Sequence, residues 1–126
     1  MQFQKRSRQY SLAIIVELYP KIEGELNNPN KIIFYGLDFS NEVLKEFCFD
    51  DKILVHCSFR NSKLINCRFR NTSILFCDLR YIDFNSGTFE SSYLWWNDIY
   101  RGYFQGIIRF SKAIISDTSI NNTFFS

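Results

Sequence analysis

Large apolar residues recur along most of this chain at every fifth position. From Cys57 onward, a mostly small residue precedes each of them by two positions. An amphipathic helix would place its apolar residues three and four apart, and a half-buried strand would alternate them. The period of five therefore predicts a repeating unit that is neither a plain helix nor a plain strand. The large positions are Phe49, Leu54, Phe59, Leu64, Phe69, Ile74, Leu79, Phe84, Phe89, Leu94, Ile99 and Phe104.

The period is interrupted once, after Phe104, and resumes one residue late. The delay indicates one extra residue within the segment 105–107. The displaced positions are Phe110, Ile115, Ile120 and Phe125. Self-similarity at a fixed period is typical of solenoids, in which each unit buries its apolar face only by stacking on its neighbours.

Three segments carry a motif close to a small, an acidic and a large residue in succession: Cys77-Asp78-Leu79, Ile82-Asp83-Phe84 and Asn97-Asp98-Ile99. With these motifs the chain resembles the pentapeptide-repeat family, from Cys57 to Phe125 and more loosely from Leu37. The resemblance implies an all-β fold, a right-handed quadrilateral parallel β-helix with four pentapeptides per coil and about four coils. It also implies that the large residue and the small residue two before it point inward, and that the other three point outward.

In that geometry, residues twenty apart stack about one strand spacing, ~4.8 Å, above one another. The apolar positions then form four columns, one of which holds Phe49, Phe69, Phe89 and, after the shift, Phe110. The displaced frame thus completes a column of phenylalanines, which supports the alignment. We expect these columns to exclude water along the axis and to supply most of the stability.

Residues 1–36 lack the period and are predicted to form an amino-terminal cap, followed by the β-helix over residues 37–126. Within the cap, segments 12–18 and 31–35 are β-branched and aromatic enough to predict strands on either side of a turn-rich loop. A short helix is predicted after Ser40. A cap would hide the apolar end of the solenoid and its unpaired strand edge. The carboxyl-terminal coil is expected to lack such a cover.

Composition limits the function. A chain of 126 residues with 46% hydrophobic and 18% aromatic residues is one folded domain, and its formal charge of +2 is too small to indicate an anionic partner. No cleavable leader and no apolar segment long enough to span a bilayer is evident. A cytoplasmic protein without membrane attachment is therefore expected.

The four cysteines fit the interior of the repeat better than a metal or redox site. Cys57, Cys67 and Cys77 are small inward residues in the implied geometry, whereas Cys48 points outward. No C-x-x-C pair exists and His56 is the single histidine, so neither a metal site nor a cofactor is predicted. Buried reduced thiols are expected, because free cysteine usually behaves as a small core residue.

One face of the predicted solenoid is rich in outward apolar and aromatic residues. Such patches usually mark contact surfaces, in which Trp and Tyr are favoured, so a homodimer or partner interface is predicted here. The alternative is that the amino-terminal strands fold along this face and bury it. The predicted interface residues are Val55, Leu75, Phe76, Tyr93, Trp95, Trp96 and Ile114, with Phe124 near the carboxyl end.

A neighbouring face combines basic and aromatic residues, the mixture with which proteins contact nucleic-acid backbones and bases. Its candidate contact residues are Arg60, Arg80, Tyr81, Tyr100 and Arg101. The alternative is a solvated face whose arginines meet nearby aspartates, and the slight net charge favours that alternative.

Catalysis is not predicted. Asp78 and Asp98 share an outward column, but no cleft, base or metal set accompanies them, and outward aspartates belong to the repeat signature that the family implies. His56 and Cys57 point to opposite sides of a strand and form no nucleophile pair. No enzyme activity and no small-molecule substrate are therefore expected.

Three functional hypotheses follow. The first is a non-enzymatic protein-interaction scaffold that self-associates through the aromatic face or the uncovered carboxyl-terminal coil. The second comes from the resemblance, which includes acidic DNA mimics that protect DNA gyrase; this chain departs from them by its outward arginines. The third is weak nucleic-acid binding along the arginines, although nucleic acid is not the expected partner.

Overall fold

The computed structural model describes residues 31–125, which form ten β-strands and, among these residues, no helix. The strands are β1 (Ile32–Tyr35), β2 (Val43–Lys45), β3 (Lys52–Val55), β4 (Lys63–Arg68), β5 (Ser73–Leu75), β6 (Asp83–Thr88), β7 (Tyr93–Trp95), β8 (Tyr103–Arg109), β9 (Ile114–Ser116) and β10 (Phe124–Phe125).

The strands form two five-stranded parallel sheets on different sides of a solenoid. Sheet one has the order β1-β3-β5-β7-β9, and sheet two has the order β2-β4-β6-β8-β10. Residues twenty apart pair with each other, as Leu54 does with Ile74. A further side is joined by single bridges from Asp38 through Ser58 and Asp78. The predicted all-β solenoid with a twenty-residue coil is confirmed.

The solenoid has five coils, of which the last is partial, rather than about four. The β-helix begins one side earlier than predicted: the strand predicted over residues 31–35 is present as Ile32–Tyr35 and pairs in register with Lys52–Val55, so it belongs to the first coil. Phe34 and Leu37 are buried in the main core. The repeat therefore begins upstream of the predicted boundary at residue 36, because the inward position at Phe34 continues the column above Leu54. The rest of the predicted cap, residues 1–30, lies outside the described residues.

The helix predicted after Ser40 is absent, and strand β2 occupies Val43–Lys45 instead. Leu44 is buried at an inward position of the repeat and pairs with Leu64 one coil further on. Local helix-start residues are thus overridden by the register of the coil, which pairs the strand's backbone groups with those of the next coil.

The interior consists of stacked columns of large side chains. In the phenylalanine column, Phe49 stacks on Phe69 with ring centroids 4.6 Å apart, and Phe69 stacks on Phe89 at 5.2 Å. Phe110 continues the stack at 5.3 Å from Phe89. The predicted column is confirmed, including the one-residue displacement before Phe110. Offset or parallel stacking adds stability to the burial of these rings.

The extra residue forms a β-bulge in β8. Gln105 pairs with Asn85, but the next inward pair joins Ile108 to Gly87, so Gly106 and Ile107 oppose one residue of β6. Gly106 has a φ of 77°. A Cβ at this position would lie 2.3 Å from the hydroxyl oxygen of Ser86, so glycine fits both the conformation and the space. Ile107 points to solvent.

A left-handed residue stands two positions after each large inward residue and turns the chain into the next side. Among residues 31–125, sixteen non-glycine residues adopt this conformation, and seven of them are Asn or Asp, the L-residues that tolerate it best. Corner side chains also join successive coils: the amide of Asn61 donates to the carbonyl oxygen of Asn41 at 2.7 Å. The corners thus depend on residues that the five-residue apolar pattern does not reveal.

The cysteines lie where the repeat places them. Cys57, Cys67 and Cys77 are buried, and Cys48 is exposed. The thiol of Cys67 donates to the carbonyl oxygen of Leu44 in the preceding coil. Burial raises the pKa of the Cys67 and Cys77 thiols, which keeps them protonated and poorly reactive.

Candidate interaction surfaces

The predicted aromatic face is the outer side of sheet one, and its amino-terminal part is buried. Val55 and Leu75 point away from the interior, yet their exposed fraction is 0%. Together with Ile33 and Ile53 they form a second apolar cluster, separate from the interior columns. Val55 and Leu75 therefore do not offer an open contact surface, which corrects their place in the predicted interface and fits the alternative that this part of the face is covered.

The carboxyl-terminal part of the same face is more open. Phe76, Tyr93, Trp95 and Trp96 are half-buried, and Ile114 is 52% exposed. Apart from Phe124, which lies on β10 of sheet two, the predicted interface residues thus share a face but differ in accessibility along the axis.

An aromatic ladder runs along one corner beside this face. His56 stacks on Phe76 with ring centroids 5.2 Å apart, and Phe76 stacks on Trp96 at 5.1 Å. All three residues have positive φ, which is uncommon for bulky side chains. The neighbouring Trp95 stacks on Trp96 at 4.2 Å and donates its indole N–H to a carboxylate oxygen of Asp117. Stacking along the corner thus accompanies an unfavourable backbone conformation.

His56 lies at the amino-terminal end of the described ladder. Partial desolvation lowers the pKa of His56 below its ordinary value, while a hydrogen bond with the backbone of Phe76 acts in the opposite direction. The imidazole is therefore held in its neutral form at neutral pH, in which it stacks without a charge to desolvate.

The last coil presents apolar side chains to solvent at its end. Ile115, Ile120 and Phe125 occupy inward positions of the repeat, and their exposed fractions are 49%, 50% and 61%. Their counterparts one coil earlier, such as Leu94, are buried. Phe124, a predicted interface residue, is 64% exposed beside them. The sequence signal for this surface is the inward position of three large residues in the final coil.

The basic residues predicted to contact nucleic acid lie along one side of the solenoid. The guanidinium of Arg60 lies over Tyr81 at 5.8 Å, and that of Arg101 lies 5.6 Å from the ring of Tyr100. Tyr81 and Tyr100 meet edge to face. The structure therefore brings four of the five predicted residues into direct mutual contacts.

The fifth residue, Arg80, is paired with an acid. Its guanidinium donates to both carboxylate oxygens of Asp78, at 2.9 and 2.8 Å. This hydrogen-bonded pairing with Arg80 lowers the pKa of the Asp78 carboxyl. This bidentate pair satisfies hydrogen-bond donors of the Arg80 guanidinium within the chain. It agrees with the alternative stated for this side, a solvated face whose arginines meet nearby aspartates.

The outward aspartates have structural partners. The carboxylate of Asp78 also accepts the backbone N–H of Arg80, and that of Asp98 accepts the backbone N–H of Tyr100. Among residues 31–125, no three potential metal ligands lie close enough together to hold an ion. In the same part of the chain, no helix has the length and apolar content needed to cross a membrane.

Comparison with known proteins found solved structures that are similar to this chain. No protein-family model matches the sequence, and no curated protein matches it. A pentapeptide repeat protein from the Arabidopsis thaliana thylakoid lumen is 20% identical, with a TM-score of 0.37 over 77% of this chain and 70% of that chain. The pentapeptide repeat protein Rfr23 from the cyanobacterium Cyanothece 51142 is 10% identical, with a TM-score of 0.43 over 93% and 99% of the two chains.

A third solved structure is that of QnrB1, a plasmid-mediated fluoroquinolone resistance protein. It is 12% identical to this chain, with a TM-score of 0.31, and the match covers 73% of this chain and 72% of QnrB1. The fold itself is established within this chain, by the inward columns and by the register in which Leu54 pairs with Ile74 and Ile74 with Leu94. The five-residue repeat and the twenty-residue coil together give this chain the pentapeptide-repeat fold.

Proposed function

We propose that this chain is a non-enzymatic protein-interaction scaffold that self-associates through the end of its last coil. The observation that carries the proposal is the exposure of Ile115, Ile120 and Phe125 at positions that are buried in the preceding coils. Apolar residues clustered at one end of a solenoid favour contact with a second surface, because their exposure to water is unfavourable.

The strand edges at this end support the same proposal. Among residues 31–125, β9 and β10 are the outermost strands of their sheets, and each pairs there with a preceding coil on one side. Unpaired strand edges promote association with another chain. A second copy placed end to end would cover the exposed side chains of Ile115, Ile120 and Phe125 together with the strand edges. The contact would have the symmetry of a closed dimer.

The test is molar mass by light scattering over a wide range of protein concentration. The full chain is expected to form a dimer, and Ile120→Glu is expected to give a folded monomer, because a charge in the contact would be desolvated. The matched control is Val43→Glu, which changes a β-branched residue that is 58% exposed on β2, in the first coil at the opposite end of the solenoid. That variant is expected to remain a dimer.

Two outcomes would contradict the proposal. A monomeric full chain at all concentrations would exclude self-association. A dimer that survives Ile120→Glu but is lost in Trp95→Ser, Trp96→Ser would move the contact to the open part of the aromatic face.

A second candidate is nucleic-acid binding, favoured by the contacts of Arg60 with Tyr81 and of Arg101 with Tyr100. It has less support, since Arg80 is paired with Asp78. Retention on DNA or RNA that falls steeply with added salt would support it. The DNA-mimic hypothesis has the least support, because a mimic needs a strongly negative surface and this chain carries a formal charge of +2.

A further inference from the structure

The outer face of β1, β3 and β5 is buried although it points away from the interior. Successive residues of a strand point to opposite sides. Leu54 lies in the interior columns, so its neighbours Ile53 and Val55 point outward, and both have an exposed fraction of 0%. Ser73 and Leu75, on either side of Ile74 in the next strand, are also 0% exposed.

The burial is specific to sheet one. Ile33 and Val43 are both β-branched, both lie in the first coil, and both directly precede a large inward residue. Ile33 is 2% exposed on sheet one, whereas Val43 is 58% exposed on sheet two. Each lies on the first strand of its sheet and has one neighbouring strand beside it. The outer ends of the sheet-one residues must therefore be covered by something laid across the face.

The cover has a definite extent along the axis. It reaches Leu75 in the third coil, leaves Tyr93 and Trp95 half-buried in the fourth, and is missing at Ile114 in the fifth, which is 52% exposed. The covered part spans three coils, about 10 Å along the axis at ~4.8 Å for each strand spacing. A single extended segment is long enough to cover it.

Lys31, directly before β1, contacts this face. Lys31, the first described residue, donates from its ammonium nitrogen to the hydroxyl oxygen of Ser73 at 3.3 Å. Ser73 lies two coils further along the solenoid. The side chain of Lys31 thus runs along the outside of sheet one, over the covered patch.

We propose that residues 12–18 form a strand-like strap that lies across the outer face of β1, β3 and β5 and buries it within the same molecule. Alternate residues of this segment would place one wholly apolar side against the sheet. These residues are Leu12, Ile14, Val16 and Leu18. On the other side, Glu17 would face solvent. The occupant of the face is thus a segment of this chain and not a partner.

The connection allows this arrangement. Twelve residues, 19–30, separate the segment from Lys31. Fully extended, they reach up to ~40 Å, several times the height of the covered patch. A tethered segment also competes well with a second molecule, because its effective concentration reaches the millimolar range for short flexible connections. The buried residues lie on the side of sheet one, so the strap does not depend on the end contact proposed above.

The test measures thiol labelling at a new cysteine in the full chain. In a Cys48→Ser background, which removes the exposed native thiol, Leu75→Cys reports on the covered face and Val43→Cys reports on the open sheet. We expect the thiol introduced at position 75 to react at least about tenfold more slowly than the one at position 43, since labelling requires opening of the strap.

A matched pair of substitutions then identifies the occupant. Ile14→Asp changes the side predicted to face the sheet, and Ile15→Asp makes the same change on the opposite side. Ile14→Asp is expected to speed labelling at position 75 by about tenfold or more, and Ile15→Asp to change it by about twofold or less, with far-UV circular dichroism unchanged. If Ile14→Asp loses the folded signal, Ile14→Ser replaces it with the same expectation.

Three results would overturn the proposal. The first is fast labelling at position 75 in the otherwise native chain. The second is slow labelling that persists in Ile14→Asp and Ile14→Ser. The third is labelling that becomes fast on dilution of the protein, which would assign the cover to a second copy.

Discussion

Deleting Ile107 is expected to leave the fold intact, because this residue is the extra one that interrupts the period. Gly106 already occupies the corner position, two residues after Phe104, and Ile108 the small inward position that follows. Ile107 itself is 77% exposed. Its removal therefore loses little buried area and restores an uninterrupted repeat. We expect the free energy of unfolding to change by about 1 kcal/mol or less, as is usual for surface changes.

Deleting Asn85, one coil earlier in the same sheet, is the matched control. It shifts every following residue by one position until the bulge restores the frame. Four large side chains leave the interior, namely Phe89, Leu94, Ile99 and Phe104, and four others take their places, namely Glu90, Trp95, Tyr100 and Gln105.

The loss from the Asn85 deletion exceeds what a small domain tolerates. Burial of each large apolar side chain contributes roughly 1.5–3 kcal/mol to the free energy of unfolding, so the loss of four from the interior lowers it by roughly 6–12 kcal/mol. Total stabilities are about 5–15 kcal/mol, and the burial of a glutamate adds a further penalty. Chemical denaturation followed by far-UV circular dichroism compares the two deletions. Equal loss of structure in both would refute the assignment of Ile107 as the extra residue and, with it, the coil register.

The remaining predictions concern a column, a thiol and a titration. Phe84→Ala should lower the free energy of unfolding, measured with denaturant, by about 3–5 kcal/mol, and Phe125→Ala should lower it by roughly 1 kcal/mol at low protein concentration. The two residues belong to one column, but their exposed fractions are 0% and 61%. Equal losses would contradict the stacking. Native protein should expose one thiol to a labelling reagent, Cys48, and unfolded protein four; more than one in the native state would contradict the burial of the others. The pKa of His56 is lowered in the folded protein, so the unfolded chain binds the proton at higher pH, and the free energy of unfolding should fall between about pH 7 and pH 5. His56→Gln should remove that part of the pH dependence. An unchanged dependence of stability on pH in the variant would contradict this prediction.

The candidate surfaces were predictable in position but not in accessibility. Phe76, Trp95 and Trp96 were correctly placed on one face, because the repeat fixes which residues point outward. Val55 and Leu75 were predicted on the same face, yet they are buried. Exposure depends on what lies over the sheet, and no pattern of period five carries that information.

The sequence pattern likewise did not predict which charged residues pair with each other. Arg60, Arg80 and Arg101 are spaced along the sequence so that one side of the solenoid must carry them. Their partners, however, depend on side-chain conformations: Arg80 meets Asp78 two residues away, whereas Arg60 lies over Tyr81 in the next coil.

The sequence by itself determined the period, the inward columns and the position of the bulge. In a solenoid these properties follow from spacing alone, because each unit repeats the same local geometry and contacts only its neighbours. The tertiary structure decided where the repeat begins, what the corners require and which outward residues are covered. The strand at Val43–Lys45 and the coil that starts at Ile32 both depend on pairing with residues twenty positions away, and short local segments are too weak a signal to reveal that pairing.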